Sequence, residues 1–234
     1  MFPIKTLRKT QKIPYVTYTL IVINILVFLW ELTLDQGELY RTFYAMALVP
    51  CQMSSNFFSV ETILDSVRTM FLHGGWVHLI GNMVFLYLFG PHIEEYLGKA
   101  RFALFYGIAG FAAGFLHAAI NWNACVPAIG ASGAISGVLG GFFLIYPATR
   151  IRTVAFFYRV PMGTIDVQAF YMLLYYFLLD FFNGLASLGV GNVETSGVAV
   201  WAHVGGFIAG VLMTFVVTIF RPPPPVDIFE HLDH

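Results

Sequence analysis

Gly130-Ala131-Ser132-Gly133-Ala134-Ile135-Ser136-Gly137-Val138-Leu139-Gly140-Gly141 opens an apolar run that continues to Tyr146. Glycine costs a helix interior roughly 1 kcal/mol relative to alanine, so this many at the head of a membrane-length segment need a compensating contact. Gly133, Gly137 and Gly141 recur at four-residue spacing. That leaves one helix face without bulk, against which another backbone can lie. Ser132 stands at the start of the helix, where unpaired backbone N–H groups stabilise negative charge. Taken alone, the stretch reads as a small-residue packing helix with a serine N-cap. The remainder of the chain supplies a second reading.

The protein has 234 residues, 58% hydrophobic and 11% charged, with a mean hydropathy of +0.75. These values exclude an ordinary soluble domain. Its 24 Phe and 12 Tyr suit a lipid-facing exterior with aromatic belts at the interfaces. A net charge of −1 leaves no basic footprint for nucleic acid. The basic N-terminus precedes a long apolar stretch without a small-residue cleavage site, so it reads as a retained anchor. Cys51 and Cys125 both fall in segments expected outside the membrane. A disulfide and two separate structural thiols are both open, and neither cysteine has a CxxC partner.

Apolar runs at 15–30, 72–90, 102–120, 132–149, 167–182 and 199–220 predict an all-α membrane protein with six transmembrane helices. The second run is expected to end near Pro91. A long outer loop between helices 1 and 2 is expected to be partly helical, with an interfacial helix over 57–72. The organisation is a basic N-terminus (1–14), a membrane domain (15–220) and a proline-rich tail (221–234), with no internal repeat. With both termini cytoplasmic, every Lys and Arg except Arg41 and Arg68 falls inside, the basic loop at 150–166 included.

In that topology spans two, four and six enter from the outer face, each with its polar residues near that end. These are His73, His78 and Asn82 on span two, Ser132 on span four and His203 on span six. All lie within roughly 15 Å of their helix starts at 1.5 Å per residue. Strongly polar residues inside a membrane span are functional by default. A serine hydroxyl, an imidazole base and hydrogen-bond donors at one depth allow acyl transfer. The Ser132 backbone N–H, His78 and Asn82 are the candidate oxyanion donors. His78 and Asn82, four residues apart, share a helix face. No carboxylate is expected near them, which predicts a Ser–His dyad rather than a triad. A metal site built on His73, His78 and His203 is disfavoured, because HExxH and a carboxylate ligand are missing and the five-residue step separates His73 from His78.

Gly130-Ala131-Ser132-Gly133 followed by Gly137 and Gly140, His73-x4-His78-x3-Asn82, Ala202-His203-x2-Gly206-x3-Gly210 and Glu94-x2-Leu97-Gly98 resemble the motifs of the rhomboid family of intramembrane serine proteases, in its prokaryotic six-helix form. The resemblance covers about residues 70–210, with the motifs in the expected order. It implies Ser132 as nucleophile and His203 as general base, then acid. His78 and Asn82 would form the oxyanion hole, with His73, Gly130 and Gly133 supporting. The implied reaction is hydrolysis of peptide bonds in or near a substrate's transmembrane helix, with no cofactor and no metal. The implied partners are transmembrane substrates and the lipid bilayer of a bacterial or archaeal plasma membrane, with no nucleic acid and no required oligomer. A catalytically silent relative binding membrane clients is the alternative. Such relatives usually lack the serine or the histidine, and this chain has both.

Two features depart from the family pattern. The outer loop lacks a tryptophan–arginine pair, and position 136 is Ser where some members place an aromatic against the histidine. Ring support for His203 is then expected from elsewhere, or Ser136 hydrogen-bonds. Asp180, without an obvious partner, is expected to cap or snorkel near the outer interface or to serve the mobility of span five. His117 is expected to tip toward the interface. Glu94 and Glu95 are expected to answer Lys99 or Arg101.

Overall fold

In the computed structural model α7 (Ser132–Ile145) is a short helix held inside a bundle of longer ones. The structure describes residues 2–53, 59–157, 160–188 and 199–224. Around α7 stand α1 (Tyr15–Glu31), α5 (Trp76–Leu97), α6 (Lys99–Ile120), α8 (Ala169–Leu188) and α9 (Val200–Phe220). With 14 residues, α7 is about 21 Å long, well under a bilayer's hydrocarbon thickness. It stops at Ile145, four residues before the expected end. Ten of its 14 residues are buried, and Val138 and Phe142 have no exposed surface.

Among the described residues four helices, α5, α6, α8 and α9, are long and apolar enough to cross a membrane, and the chain is an integral membrane protein. Of the six expected spans, the other two correspond to α1 and α7, which are apolar but shorter. The expected stop at Pro91 is corrected, because α5 runs through that proline to Leu97. A proline removes one ladder hydrogen bond, and here tertiary contacts hold the helix on both sides of it. A Cβ at Gly90 would lie 2.9 Å from Thr17 Cγ2, so α1 crosses α5 in close contact.

Just beyond that crossing, Glu94 terminates the N-terminus of α1, which has no side-chain cap of its own. Its carboxylate accepts from Val16 N (2.9 Å), Thr17 N (2.8 Å) and Thr17 Oγ1 (2.8 Å). First-turn N–H groups lack intrahelical acceptors and favour negative charge. Glu94 is therefore an intramolecular cap and does not answer Lys99 or Arg101, while Glu95 accepts from Gln11 N. Replacing Glu94 by Ala strands three donors, the two of Thr17 buried and that of Val16 partly so, and is expected to lower stability by about 3 kcal/mol in denaturant titration of the detergent-solubilised protein.

The segment expected as a basic loop at 150–166 is instead a hairpin of β2 (Arg150–Phe157) and β3 (Val160–Gln168), joined by β1 (Phe2–Thr6). The antiparallel order is β1-β2-β3, with Thr6 opposite Ile151 and Thr153 opposite Ile165. Thr153, Val154, Ile165 and Val167 have the β-branched side chains that suit a pleated surface. Arg152 bonds both carboxylate oxygens of Asp166 across the hairpin (2.8 and 3.0 Å). Arg159, counted with this loop, and Asp227, Glu230 and Asp233 of the tail lie outside the described residues.

Between α1 and α5 the chain forms α2 (Gln36–Met46), α3 (Pro50–Met53), α4 (Val60–Arg68) and a 3-10 turn at Thr69–Phe71. The interfacial helix expected over 57–72 is thus shorter, and Phe57 lies outside the described residues. Asp35 and Glu38 close a reciprocal capping box at the head of α2. Cys51 and Cys125 are joined by a disulfide, which resolves the pairing left open above. Next to it Ala128 N donates to Leu48 O (2.8 Å), Thr69 Oγ1 to Ala128 O, and Gly130 N to Thr69 O (2.9 Å). The segment between α1 and α5 is thereby stitched to the loop that delivers Ser132.

Candidate active site

Ser132 is the first residue of α7, and Ala131, not Ser132, occupies the cap position, with no side-chain capping bond. The hydroxyl is therefore not consumed by its own helix. Ser132 Oγ lies 2.8 Å from His203 Nε2 of α9. The other imidazole nitrogen, Nδ1, lies 3.2 Å from Asp180 Oδ2 of α8. Three helices thus contribute one atom chain, hydroxyl to imidazole to carboxylate.

That third member corrects the expectation that no carboxylate lies near. Asp180 does not cap or snorkel at the interface; it meets the histidine. It holds the ring by a hydrogen bond to Nδ1. The sequence signal was an acidic residue inside a membrane span, which by default has a partner.

The approach of α9 to α7 explains the glycines. A Cβ on Gly206 would lie 2.0 Å from Gly133 O, and one on Gly210 would lie 1.9 Å from Gly137 O. On α7, a Cβ at Gly140 would lie 2.2 Å from Phe207 O. Gly133 and Gly137 also face Ala113 and Ala109 of α6. Small residues on both partners bring the backbones together and with them Ser132 and His203.

His78 and Asn82 converge on Gly130, two residues before the serine. A Cβ there would sit 2.6 Å from His78 Nε2 and 3.6 Å from Asn82 Nδ2. Gly130 has φ of +120°, which a side chain rarely adopts, so conformation and space both demand glycine. His78 Nδ1 accepts from Gly74 N at 3.4 Å, assigning the ring proton to Nε2, on the Gly130 side.

His73 is buried behind them. Its Nδ1–H donates to Phe71 O (3.2 Å) and its Nε2 accepts from Asn82 Nδ2 (3.0 Å), leaving the second Asn82 amide proton available. Glu31, the last residue of α1 and 3% exposed, accepts from His73 N at 3.1 Å. Glu31 was missed in the sequence because its role depends on where α1 meets the turn before α5. His117 is buried, bonded to Asn121 Nδ2 at 3.4 Å, and does not tip outward.

A cavity of about 950 Å³ is lined by His78, Asn82, Ser132, Ser136, Asp180 and His203 among others. Phe85, Leu139, Tyr176 and Leu179 make its apolar wall.

The rhomboid domain model matches residues 61–220. The chain is 34% identical over 151 residues to RHOMBOID-like protein 4 of Arabidopsis thaliana, covering 64% of this chain and 33% of that protein. It is 35% identical over 82 residues to the putative rhomboid protease YdcA of Bacillus subtilis, covering 34% of this chain and 39% of the relative. Rhomboid protease GluP of the same bacterium is 34% identical over 142 residues, 59% of this chain and 23% of GluP. The chain belongs to the rhomboid family. The matched stretch is well under half the length of each of these relatives.

Proposed function

We propose that the protein is an intramembrane serine endopeptidase, hydrolysing peptide bonds in or near transmembrane helices of membrane-protein substrates without cofactor or metal. The observation that carries the reading is Ser132 Oγ at hydrogen-bond distance from His203 Nε2, facing a cavity inside an apolar bundle. Nε2 takes the hydroxyl proton as Oγ attacks the scissile carbonyl carbon. The oxyanion forms against the Ser132 backbone N–H, His78 Nε2–H and the free amide proton of Asn82. Collapse breaks the C–N bond, and the imidazolium gives its proton to the leaving amine. Water, deprotonated by the same nitrogen, then releases the acyl group from Ser132.

In this reading α1 and α5 to α9 are the six membrane-embedded helices of a prokaryotic-type protein in the plasma membrane, with 1–14 and 221–234 cytoplasmic. The charge distribution supports that orientation, and so does the disulfide, since such bonds persist in oxidising compartments outside the cytosol. A helical substrate carbonyl is hydrogen-bonded and shielded, so the bond presented to Ser132 must lie in a locally unwound segment. The silent client-binding alternative has no observation in its favour, given the aligned serine and imidazole.

The test is turnover. The purified protein in liposomes, mixed with a single-span substrate, is expected to cut within or beside the span at the same rate with and without a metal chelator. No cleavage across a panel of spans with small residues and helix breakers would overturn the proposal.

A further inference from the structure

We propose that Asp180 is a positioning residue of the catalytic machinery: by accepting Nδ1–H of His203 it holds the imidazole in the tautomer whose Nε2 receives the proton of Ser132. This inference rests on the hydrolase reading above and deepens it.

A neutral imidazole carries one proton and can place it on either nitrogen. With the proton on Nε2, the ring donates to the serine oxygen and cannot act as its base. With the proton on Nδ1, the Nε2 lone pair faces the hydroxyl. A carboxylate is acceptor-only when ionised, so an oxygen at 3.2 Å from Nδ1 selects the second state. It also places a counter-charge beside the imidazolium formed during attack.

Among the described residues, the surroundings of His203 leave this task to Asp180. Ser132 meets the ring from α7 and Asp180 from α8, and the titratable groups that face it from α5 and α6, His78 and His117, are imidazoles. An imidazole cannot supply a fixed negative charge. The side chains of Asp180 and His203 are 33% and 19% exposed, and both line the cavity, so a carboxylate can be tolerated at this depth. A further contact fixes α8 at this height: a Cβ on Gly184, one turn beyond Asp180, would lie 2.9 Å from the Trp201 ring of α9. The nucleophile, base and carboxylate therefore ride on three different helices, and the base is fully oriented only while α8 is docked on α9.

The competing role is a plain hydrogen-bond staple between α8 and α9, and isosteric substitution separates the two. Asp180→Asn keeps an oxygen that can accept from Nδ1–H but removes the charge, and its amide can equally donate and favour the wrong tautomer. Full-length protein in liposomes, with a single-span substrate, gives kcat and KM. A fluorophosphonate probe gives the rate of Ser132 labelling independently of substrate docking. Asp180→Asn is expected to lower kcat and the labelling rate together, roughly 10- to 1,000-fold, with KM within about two-fold and Tm close to wild type. Asp180→Glu, which restores the charge on a longer arm, is expected to recover most of the loss, and this comparison holds even if the Asn variant proves unstable.

Wild-type kcat and labelling in Asp180→Asn, or a Glu variant no better than the Asn variant, would overturn the proposal while leaving the protease reading intact. Cleavage that survives Ser132→Ala would instead remove the reading on which it rests.

Discussion

Ser132→Ala and His203→Ala are each expected to abolish cleavage of a transmembrane substrate, with kcat falling by about 10⁴-fold or more. In the proposed mechanism, removing the hydroxyl removes the atom that forms the acyl bond. Removing the imidazole leaves that hydroxyl protonated at neutral pH, a poor nucleophile without a base at 2.8 Å. The two groups act as a unit, so the double variant should be no slower than either single one. Folding is the competing explanation, and the geometry makes it a weak one. Ser132 makes no capping bond, and its loss leaves the α7–α9 backbone contact untouched. Thermal unfolding in detergent should therefore shift little for Ser132→Ala, and a fluorophosphonate probe should label wild type and not the variant. Residual cleavage at more than a few per cent of wild type would contradict the assignment.

Gly210→Ala should be far more damaging than its single methyl suggests. The added carbon would lie 1.9 Å from Gly137 O, 2.6 Å from its carbonyl carbon and 2.7 Å from its Cα, so it meets only backbone. A backbone cannot rotate away as a side-chain tip can, and the two helices must separate. Overpacking of this kind costs about 3 kcal/mol. In a bilayer, where apolar contact with lipid competes with helix contact, little offsets the lost packing. Activity should fall by more than the unfolded fraction explains, because a shift of about 1 Å between nucleophile and base costs on the order of 100-fold. Gly107→Ala on α6 is the control, since its Cβ would meet nothing within 4 Å. It should be neutral or stabilising by up to about 1 kcal/mol, glycine being the poorer helix former. Equal effects of the two substitutions on Tm would contradict the packing argument.

The glycine spacing in α7 was readable because helical geometry converts a four-residue period into a face, whatever the partner. The partner itself was not: α9 uses Gly206 and Gly210 against Gly133, Gly137 and Gly140, and α6 contributes Ala109 and Ala113 to the same side. Pro91 was misread because local propensity forbids what the Gly90–Thr17 contact and the Glu94 cap enforce. The strands over 150–168 were overlooked because their charges suggested a solvated loop. Their β-branched residues become a sheet only when β1 arrives from the other end of the chain.

Local pattern alone therefore determined that this is a membrane-embedded helical protein, in what order its apolar segments run, and that Ser132, His203, His78 and Asn82 stand at one level. Period and hydropathy are properties of neighbouring residues, and they survive without knowledge of the fold. Only the packed molecule decided which long-range partners those residues meet. Asp180 reaches His203 across 23 residues, Glu94 reaches the head of α1 across 77, and Cys51 reaches Cys125 across 74. The order of residues along the chain leaves open which helix faces touch. Those pairs exist because burial of small and apolar faces chose one arrangement of helices, and the polar groups were then satisfied inside it.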